Sequence, residues 1–81
     1  MDAALFVSQM EELFELNAGS LSPSSVIKDI PGWGSLTFMG LISMVDEEYQ
    51  VTLMPKAVLA SETIADLMAC IDGESPLRQS A

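Results

Sequence analysis

The sequence contains no histidine and a single cysteine, Cys70, which excludes several kinds of catalytic and metal site. Without an imidazole, the chain lacks the usual general acid or base for neutral pH and the commonest metal ligand. One cysteine can form neither an intrachain disulfide nor the ligand cluster of a structural zinc site. Cys70 lies one residue off the apolar stripe of the last predicted helix. We expect it to be a small apolar filler at the edge of the core.

Basic residues and long apolar runs are also scarce. Lys and Arg number 3 against 12 Asp and Glu, for a net charge of −9 at pH 7. Such a surface repels nucleic acids and anionic lipids and attracts basic protein surfaces. The charge also keeps a small domain soluble, and this simpler explanation stays open. No apolar run approaches membrane-spanning length and no basic segment opens the chain, so we expect a cytoplasmic protein without a membrane partner.

The apolar residues, 49% of the 81 residues, recur at helical spacing. Residues 2–17 predict a first helix with a stop near Gly19, and its glutamates lie mostly off the apolar stripe. The glycines, prolines and serines of residues 17–34 predict a long loop. A loop of this length in a compact domain usually has a function or contains a short turn of helix.

Three further helices are predicted after this loop. Ser35–Tyr49 forms the second helix and Pro55–Ala60 a short third one, with proline in its first turn. Thr63 and Asp66 have the spacing of a capping box, which begins a last helix, and Gly73 is a stop signal. We therefore expect an all-α fold. It is a monomeric four-helix bundle with a long first loop and a short third helix over residues 1–73, followed by a flexible tail over residues 74–81.

The second predicted helix has two different faces. One is apolar and should be buried, and it contains Phe38, Leu41, Ile42, Val45 and Tyr49. The opposite face mixes apolar, small and acidic residues, and it contains Ser35, Leu36, Met39, Gly40, Ser43, Asp46 and Glu47. Leu36 and Met39 either pack beneath the long loop or form a contact site for a partner.

Ser35, considered from its neighbours alone, is an ordinary first residue of a helix. Gly34 takes the N-cap position, and Trp33 is placed to pack against Phe38 as a hydrophobic staple. No nearby side chain could activate the Ser35 hydroxyl as a nucleophile. The local sequence therefore predicts a helix start without catalytic chemistry.

The segment Trp33, Gly34, Ser35 and Leu36 nevertheless resembles the start of the second helix of acyl carrier proteins. That family has an Asp-Ser-Leu motif there, often with tryptophan just before it. The resemblance covers about residues 5–71. It continues at Ile42, Val45, Asp46, Glu47, Glu48, Tyr49, Val51, Leu59, Thr63, Ile64, Asp66, Leu67 and Ile71.

The resemblance implies a carrier and not an enzyme. A phosphopantetheinyl transferase would attach 4′-phosphopantetheine from coenzyme A to Ser35, and the arm's thiol would carry acyl or aminoacyl groups as thioesters. A helix N-terminus favours the anionic phosphodiester. The implied docking residues for acyl-loading and acyl-using enzymes with basic patches are Leu36, Met39, Asp46 and Glu47.

The chain departs from the family pattern at four positions. Gly34 replaces the aspartate of the motif, Thr37 and Gly40 stand where acidic residues are common, and Lys56 lies in a usually acidic third helix. These differences favour a specialised carrier with dedicated partners, in fatty-acid, polyketide or specialised-lipid biosynthesis. The alternative is a carrier-like domain that is never modified and acts as a helical protein-interaction domain.

Overall fold

A computed structural model describes residues 1–73, and the expected tail over residues 74–81 lies outside the described residues. No β-strand occurs in the described part, where Val26 and Thr63 form one isolated antiparallel bridge. The structure confirms the predicted all-α fold with a long first loop and a short third helix. The four helices are α1 (Ala3–Leu13), α2 (Ser35–Tyr49), α3 (Pro55–Ala60) and α4 (Ile64–Ile71). None of these helices is long and apolar enough to span a membrane.

The core lies where α1, α2 and α4 meet, and α3 packs against α4. Leu41 and Val45 are fully buried, as predicted for the apolar face of α2. The other residues predicted for this face, Phe38, Ile42 and Tyr49, are half-buried and pack around the core. Complete burial of an aliphatic or aromatic side chain contributes about 1.5–3 kcal/mol to stability. The residues from the other helices with no exposed surface are Phe6, Met10, Ile64 and Leu67. Cys70 is buried beside them, as expected for an apolar filler.

The first helix ends at Leu13, earlier than the predicted end at residue 17. Glu15 takes a left-handed conformation with φ of 58°. The N–H of Leu16 donates to the carbonyl oxygen of Glu11 at 2.8 Å, and the N–H of Glu15 donates to that of Glu12 at 3.1 Å. These two bonds form a Schellman motif, which usually places glycine in the left-handed position. The glutamate there gives no stop signal in the sequence, so periodicity overestimates the length of α1.

Glu11 is buried, although the glutamates of α1 were expected to lie mostly outside the apolar stripe. Its Oε2 atom accepts hydrogen bonds from the backbone N–H groups of Gly19 and Leu21, each at 2.9 Å. A carboxylate is tolerated in the interior when it is hydrogen-bonded, and charge-assisted bonds are stronger than neutral ones. Glu11 therefore fastens the first part of the long loop to α1.

The second part of the loop is fastened to the start of α4. It contains a 3₁₀ turn over Ile27–Asp29, which agrees with the turn of helix considered for this loop. The side chain of Ile27 is buried, and its N–H donates to the carbonyl oxygen of Glu62 at 2.9 Å. Another bond runs from the N–H of Ile64 to the carbonyl oxygen of Ser25 at 3.1 Å. The loop is thus part of the packed domain.

Both ends of α4 follow the sequence prediction. The N–H of Asp66 donates to Thr63 Oγ1 at 3.2 Å, and the N–H of Thr63 donates to Asp66 Oδ2 at 3.1 Å. This reciprocal pair is the predicted capping box. At the other end, Gly73 takes φ of +79° just after the C-cap residue Asp72. Glycine adopts this conformation without steric cost, and it stops the helix where the sequence indicates.

Replacing Glu11 with alanine should lower the free energy of unfolding by about 1–3 kcal/mol, because two loop N–H groups lose the charged acceptor of their part-buried hydrogen bonds. The matched control is Glu12→Ala, since Glu12 is exposed on the same helix. That change should stay within about 0.5 kcal/mol. Urea unfolding followed by circular dichroism measures both values. Equal destabilisation by the two variants would contradict the role assigned to Glu11.

Candidate functional site

The start of α2 is held by aromatic packing around Trp33. Its ring stacks on Phe14, with centroids 6.1 Å apart and an interplanar angle of 21°. It also meets the ring of Phe38 edge-on at 6.0 Å. Phe14 follows the last residue of α1 and Phe38 lies in the first turns of α2. The predicted hydrophobic staple between Trp33 and Phe38 is therefore present, and Trp33 also packs against Phe14 at the end of α1.

Gly34 is the N-cap residue of α2, as predicted. It has no side chain, so it cannot accept a hydrogen bond from the first-turn amides. Thr37 supplies the reverse half of a capping box, since its Oγ1 accepts from the N–H of Gly34 at 3.0 Å. The Thr37 hydroxyl also lies 2.8 Å from the carbonyl oxygen of Gly32, to which it donates. The N-cap of α2 therefore has no acidic group, and the hydrogen bonds of Thr37 maintain the geometry of the cap.

Ser35 is the first residue of α2 and is exposed. The first hydrogen bond of the helix runs from the N–H of Phe38 to the carbonyl oxygen of Gly34 at 2.8 Å. The amides before Phe38 have no partner within the helix, and they form the positive end of its dipole. A side chain added at Gly34 would begin in open space. An anionic group bound to the Ser35 hydroxyl therefore fits this helix end both sterically and electrostatically.

Two apolar side chains lie beside this serine at the surface. Leu36 is 87% exposed and Met39 is 64% exposed. Packing beneath the long loop, one of the two alternatives for these residues, is thereby excluded. Exposed apolar side chains next to a helix start provide a surface suited to protein contact.

The predicted acidic residues lie further along α2. Asp46 and Glu47 are both exposed, and no charged residue occurs in the segment 35–45. At 1.5 Å per residue, Asp46 is about 16 Å from Ser35 along the helix axis. The structure therefore groups Leu36 and Met39 with Ser35 and separates the acidic pair from them.

Gly40 is packed against α1, although the helical projection placed it on the face of α2 opposite the apolar one. It is half-buried, and a Cβ atom there would lie 3.1 Å from Cδ1 of Leu13. Gly40 thus allows α1 and α2 to approach closely, a contact that a single-helix projection cannot reveal. Together with the capping role of Thr37, this explains two departures from the acidic family pattern. Both positions serve the packing and capping of α2 in this chain.

An open groove of about 230 Å³ lies near this helix start, between the 3₁₀ turn and α3. It is lined by Ile27, Lys28, Trp33, Val58, Leu59 and Ser61. Neither the groove nor Lys28 was predicted as part of a site. The groove depends on the way the long loop folds back towards α3, which local patterns do not specify. The sequence offered one clue to the groove, because Lys28, one of 3 basic residues, lies close to the Ser35 segment along the chain.

Acidic and cysteine residues do not converge on a metal site within residues 1–73, where no group of three or more potential ligands is close enough to hold an ion. Burial raises the pKa of the Tyr49 hydroxyl above 10.0, and the charge of Glu48 adds to the shift. This hydroxyl donates to Gln9 Oε1. Tyr49 is the last residue of α2, so the perturbed group lies at the opposite end of the helix from Ser35.

A family model described as a phosphopantetheine attachment site matches residues 4–71. The match covers most of the chain, so the chain belongs to the family of phosphopantetheine-binding carrier proteins. It is a carrier and not a catalyst, and its prosthetic group is covalently attached 4′-phosphopantetheine. When bound, this group supplies the thiol that carries acyl groups as thioesters. A search of curated proteins and a search of solved structures each gave no significant match.

Gly34→Asp should stabilise the fold by about 0.3–1 kcal/mol at low ionic strength, because it places a negative charge at the positive end of α2. The extended φ of 179° and the open space around Gly34 accommodate the side chain. Ser43→Asp is the control, since Ser43 is exposed on the same helix but outside its first turn. Urea unfolding compares the variants. An equal gain from Ser43→Asp would contradict the dipole explanation.

Proposed function

We propose that Ser35 is the residue that carries the phosphopantetheine arm, and that the chain delivers acyl or aminoacyl groups to enzymes of a specialised biosynthetic pathway. The observation that carries this proposal is the exposed serine at the first position of α2, inside the matched region. Ser43 is also exposed on α2 but lies in the middle of the helix. It is therefore away from the first-turn amides that favour an anion.

The surroundings of Ser35 support a carrier role through three physical effects. The N-terminal amides of α2 stabilise the negative phosphodiester. Exposure of the serine gives a transferase access to the hydroxyl and lets an attached arm extend away from the protein. The packing of Trp33 on Phe14 and Phe38 holds the attachment point on a rigid element. The chain thus supplies position and charge, and its partner enzymes supply the catalytic groups.

We further propose that partner enzymes dock in two zones of α2. Leu36 and Met39 make apolar contacts beside the arm, and Asp46 and Glu47 attract basic residues near the other end of the helix. Complementary charges mainly raise association rates, whereas desolvated apolar contacts hold the complex together. The uncharged segment between these zones, together with the exposed Lys56 on α3, distinguishes the surface from a uniformly acidic one. This arrangement supports dedicated partners, including a phosphopantetheinyl transferase that accepts glycine at position 34.

Ser35→Ala should abolish modification and leave the fold intact, because a hydroxyl at an exposed first-turn position makes little contribution to stability. Intact-protein mass spectrometry after incubation with coenzyme A and a broad-range phosphopantetheinyl transferase measures the uptake of the arm. Ser43→Ala is the matched control and should be modified like the native chain. Continued modification of the Ser35→Ala variant would contradict the assignment. A native chain that stays unmodified at high transferase concentration would favour the alternative of a helical interaction domain.

Leu36→Ala should lower the kcat/KM of the transferase for this carrier, while the free energy of unfolding changes by less than about 0.5 kcal/mol. The physical reason is that Leu36 is 87% exposed in the isolated chain and would become buried in the complex. Leu5→Ala is the control, since Leu5 is an exposed leucine on α1. An equal loss of kcat/KM in both variants would contradict docking through α2.

A further inference from the structure

A second open groove lies between α1 and α2 and is formed by these two helices alone. It has a volume of about 380 Å³ and is lined by Gln9, Glu12, Leu13, Met44 and Glu48. The side chains of Leu13 and Met44 are half-buried, whereas Glu12 and Glu48 are exposed. The groove therefore combines an apolar floor with two carboxylates at its edges.

Glu48 is held at the edge of this groove by a series of contacts that begins in the core. The ring of Tyr49 meets the buried ring of Phe6 edge-on, with centroids 5.8 Å apart. The Tyr49 hydroxyl donates to Gln9 Oε1, which orients the amide so that its Nε2 donates to Glu48 Oε1 at 3.3 Å. A carboxylate accepts several hydrogen bonds, so Glu48 can bind a donor from a partner while it keeps the bond from Gln9.

The negative charge of this groove is not neutralised by the folded chain. Within residues 1–73, no lysine or arginine nitrogen lies within 4.0 Å of either carboxylate. Basic residues number 3 against 12 acidic ones in the whole chain. A second copy of the chain, a nucleic acid or an anionic membrane would therefore be repelled, since each brings further negative charge. The complementary occupant is a basic segment of another protein.

We propose that the groove between α1 and α2 docks an arginine-bearing helical segment of a partner protein. The guanidinium group pairs with the carboxylates of Glu12 and Glu48, and the aliphatic part of the arginine covers Leu13 and Met44. Arginine suits this groove because its planar group binds carboxylates through parallel hydrogen bonds while its stem buries apolar surface. An apolar residue one turn along the same partner helix completes the contact with the floor. This docking does not depend on attachment at Ser35.

The groove is separate from the two docking zones proposed on α2. At 3.6 residues per turn, Met44 and Glu48 lie on a strip of α2 that is rotated by roughly 130° from the centre of those zones. One partner can therefore hold the chain through the groove while another reaches Ser35 and the exposed apolar residues beside it. Exposed ion pairs are weak and screened by salt, so this attachment is reversible.

Amide NMR spectra of the isotope-labelled chain locate the binding surface directly. The probe is a synthetic helical peptide of about 15 residues, with two arginines and two leucines placed on one face. We expect the largest changes in amide shift at residues 9–13 and 44–48. Glu12→Gln and Glu48→Gln should each raise the Kd of the peptide about two- to fivefold, because each removes one exposed ion pair.

Glu62→Gln is the matched control variant, since it removes the same charge from an exposed residue outside the groove. It should raise the Kd less than either groove variant does. A scrambled peptide keeps the charge but loses the face, and it should bind more weakly than the probe. Equal weakening by all three variants, or equal binding of the two peptides, would overturn the inference, because either result indicates attraction to net charge alone.

The position of the shift changes gives two further tests of the proposal. Largest changes around Leu36 and Met39, with little change at residues 9–13 and 44–48, would overturn it by placing the peptide on the other face of α2. Shift changes at residues 9–13 and 44–48 when the chain is concentrated without peptide would also overturn it. That result would assign the groove to a second copy of the chain.

Discussion

The packing of Trp33 between Phe14 and Phe38 is the contact on which the position of the candidate site depends. It joins the end of α1 to the first turns of α2 at the point where the long loop ends. Aromatic pairs of this geometry contribute about 0.5–1.5 kcal/mol beyond the burial of their surface. Without this contact, the start of α2 would lose its aromatic packing against the end of α1. With it, Ser35 is presented on a fixed helix end.

The remaining loop contacts support this arrangement from two directions. Glu11 binds the amides at the beginning of the loop, and Ile27 fastens the middle of the loop near the start of α4. Each contact gives backbone N–H groups of the loop a hydrogen-bond acceptor within the protein. The loop consequently forms one wall of the groove beside Trp33. The same packing that orders the loop therefore shapes the surface near Ser35.

The features predicted correctly from the sequence are those governed by local rules. The bounds of α2, the capping box of Thr63, the stop at Gly73 and the staple formed by Trp33 each depend on residues a few positions apart. The attachment residue, in contrast, was suggested by the resemblance to acyl carrier proteins. Physical reasoning alone predicts only a serine at the start of a helix. Exposure and helix-end electrostatics now make the proposed attachment at Ser35 physically reasonable.

The features that the sequence did not reveal depend on contacts between distant segments. Glu11 is buried because the loop returns to it, and Gly40 is half-buried because α1 crosses close to α2. The left-handed turn at Glu15 carries no glycine or asparagine that would mark it. The groove at Lys28 likewise requires the loop and α3 to come together. These features result from tertiary packing, which cannot be predicted from the periodicity of a single helix.

The central claim is that the end of α2 presents Ser35 as the attachment point of the prosthetic group. The most direct measurement is fragmentation mass spectrometry of peptides from the modified chain, which identifies the residue that bears the phosphopantetheine. The account predicts that the arm is found on Ser35 and on no other serine. Location of the arm on a loop serine such as Ser24, or on Ser43 within α2, would contradict it.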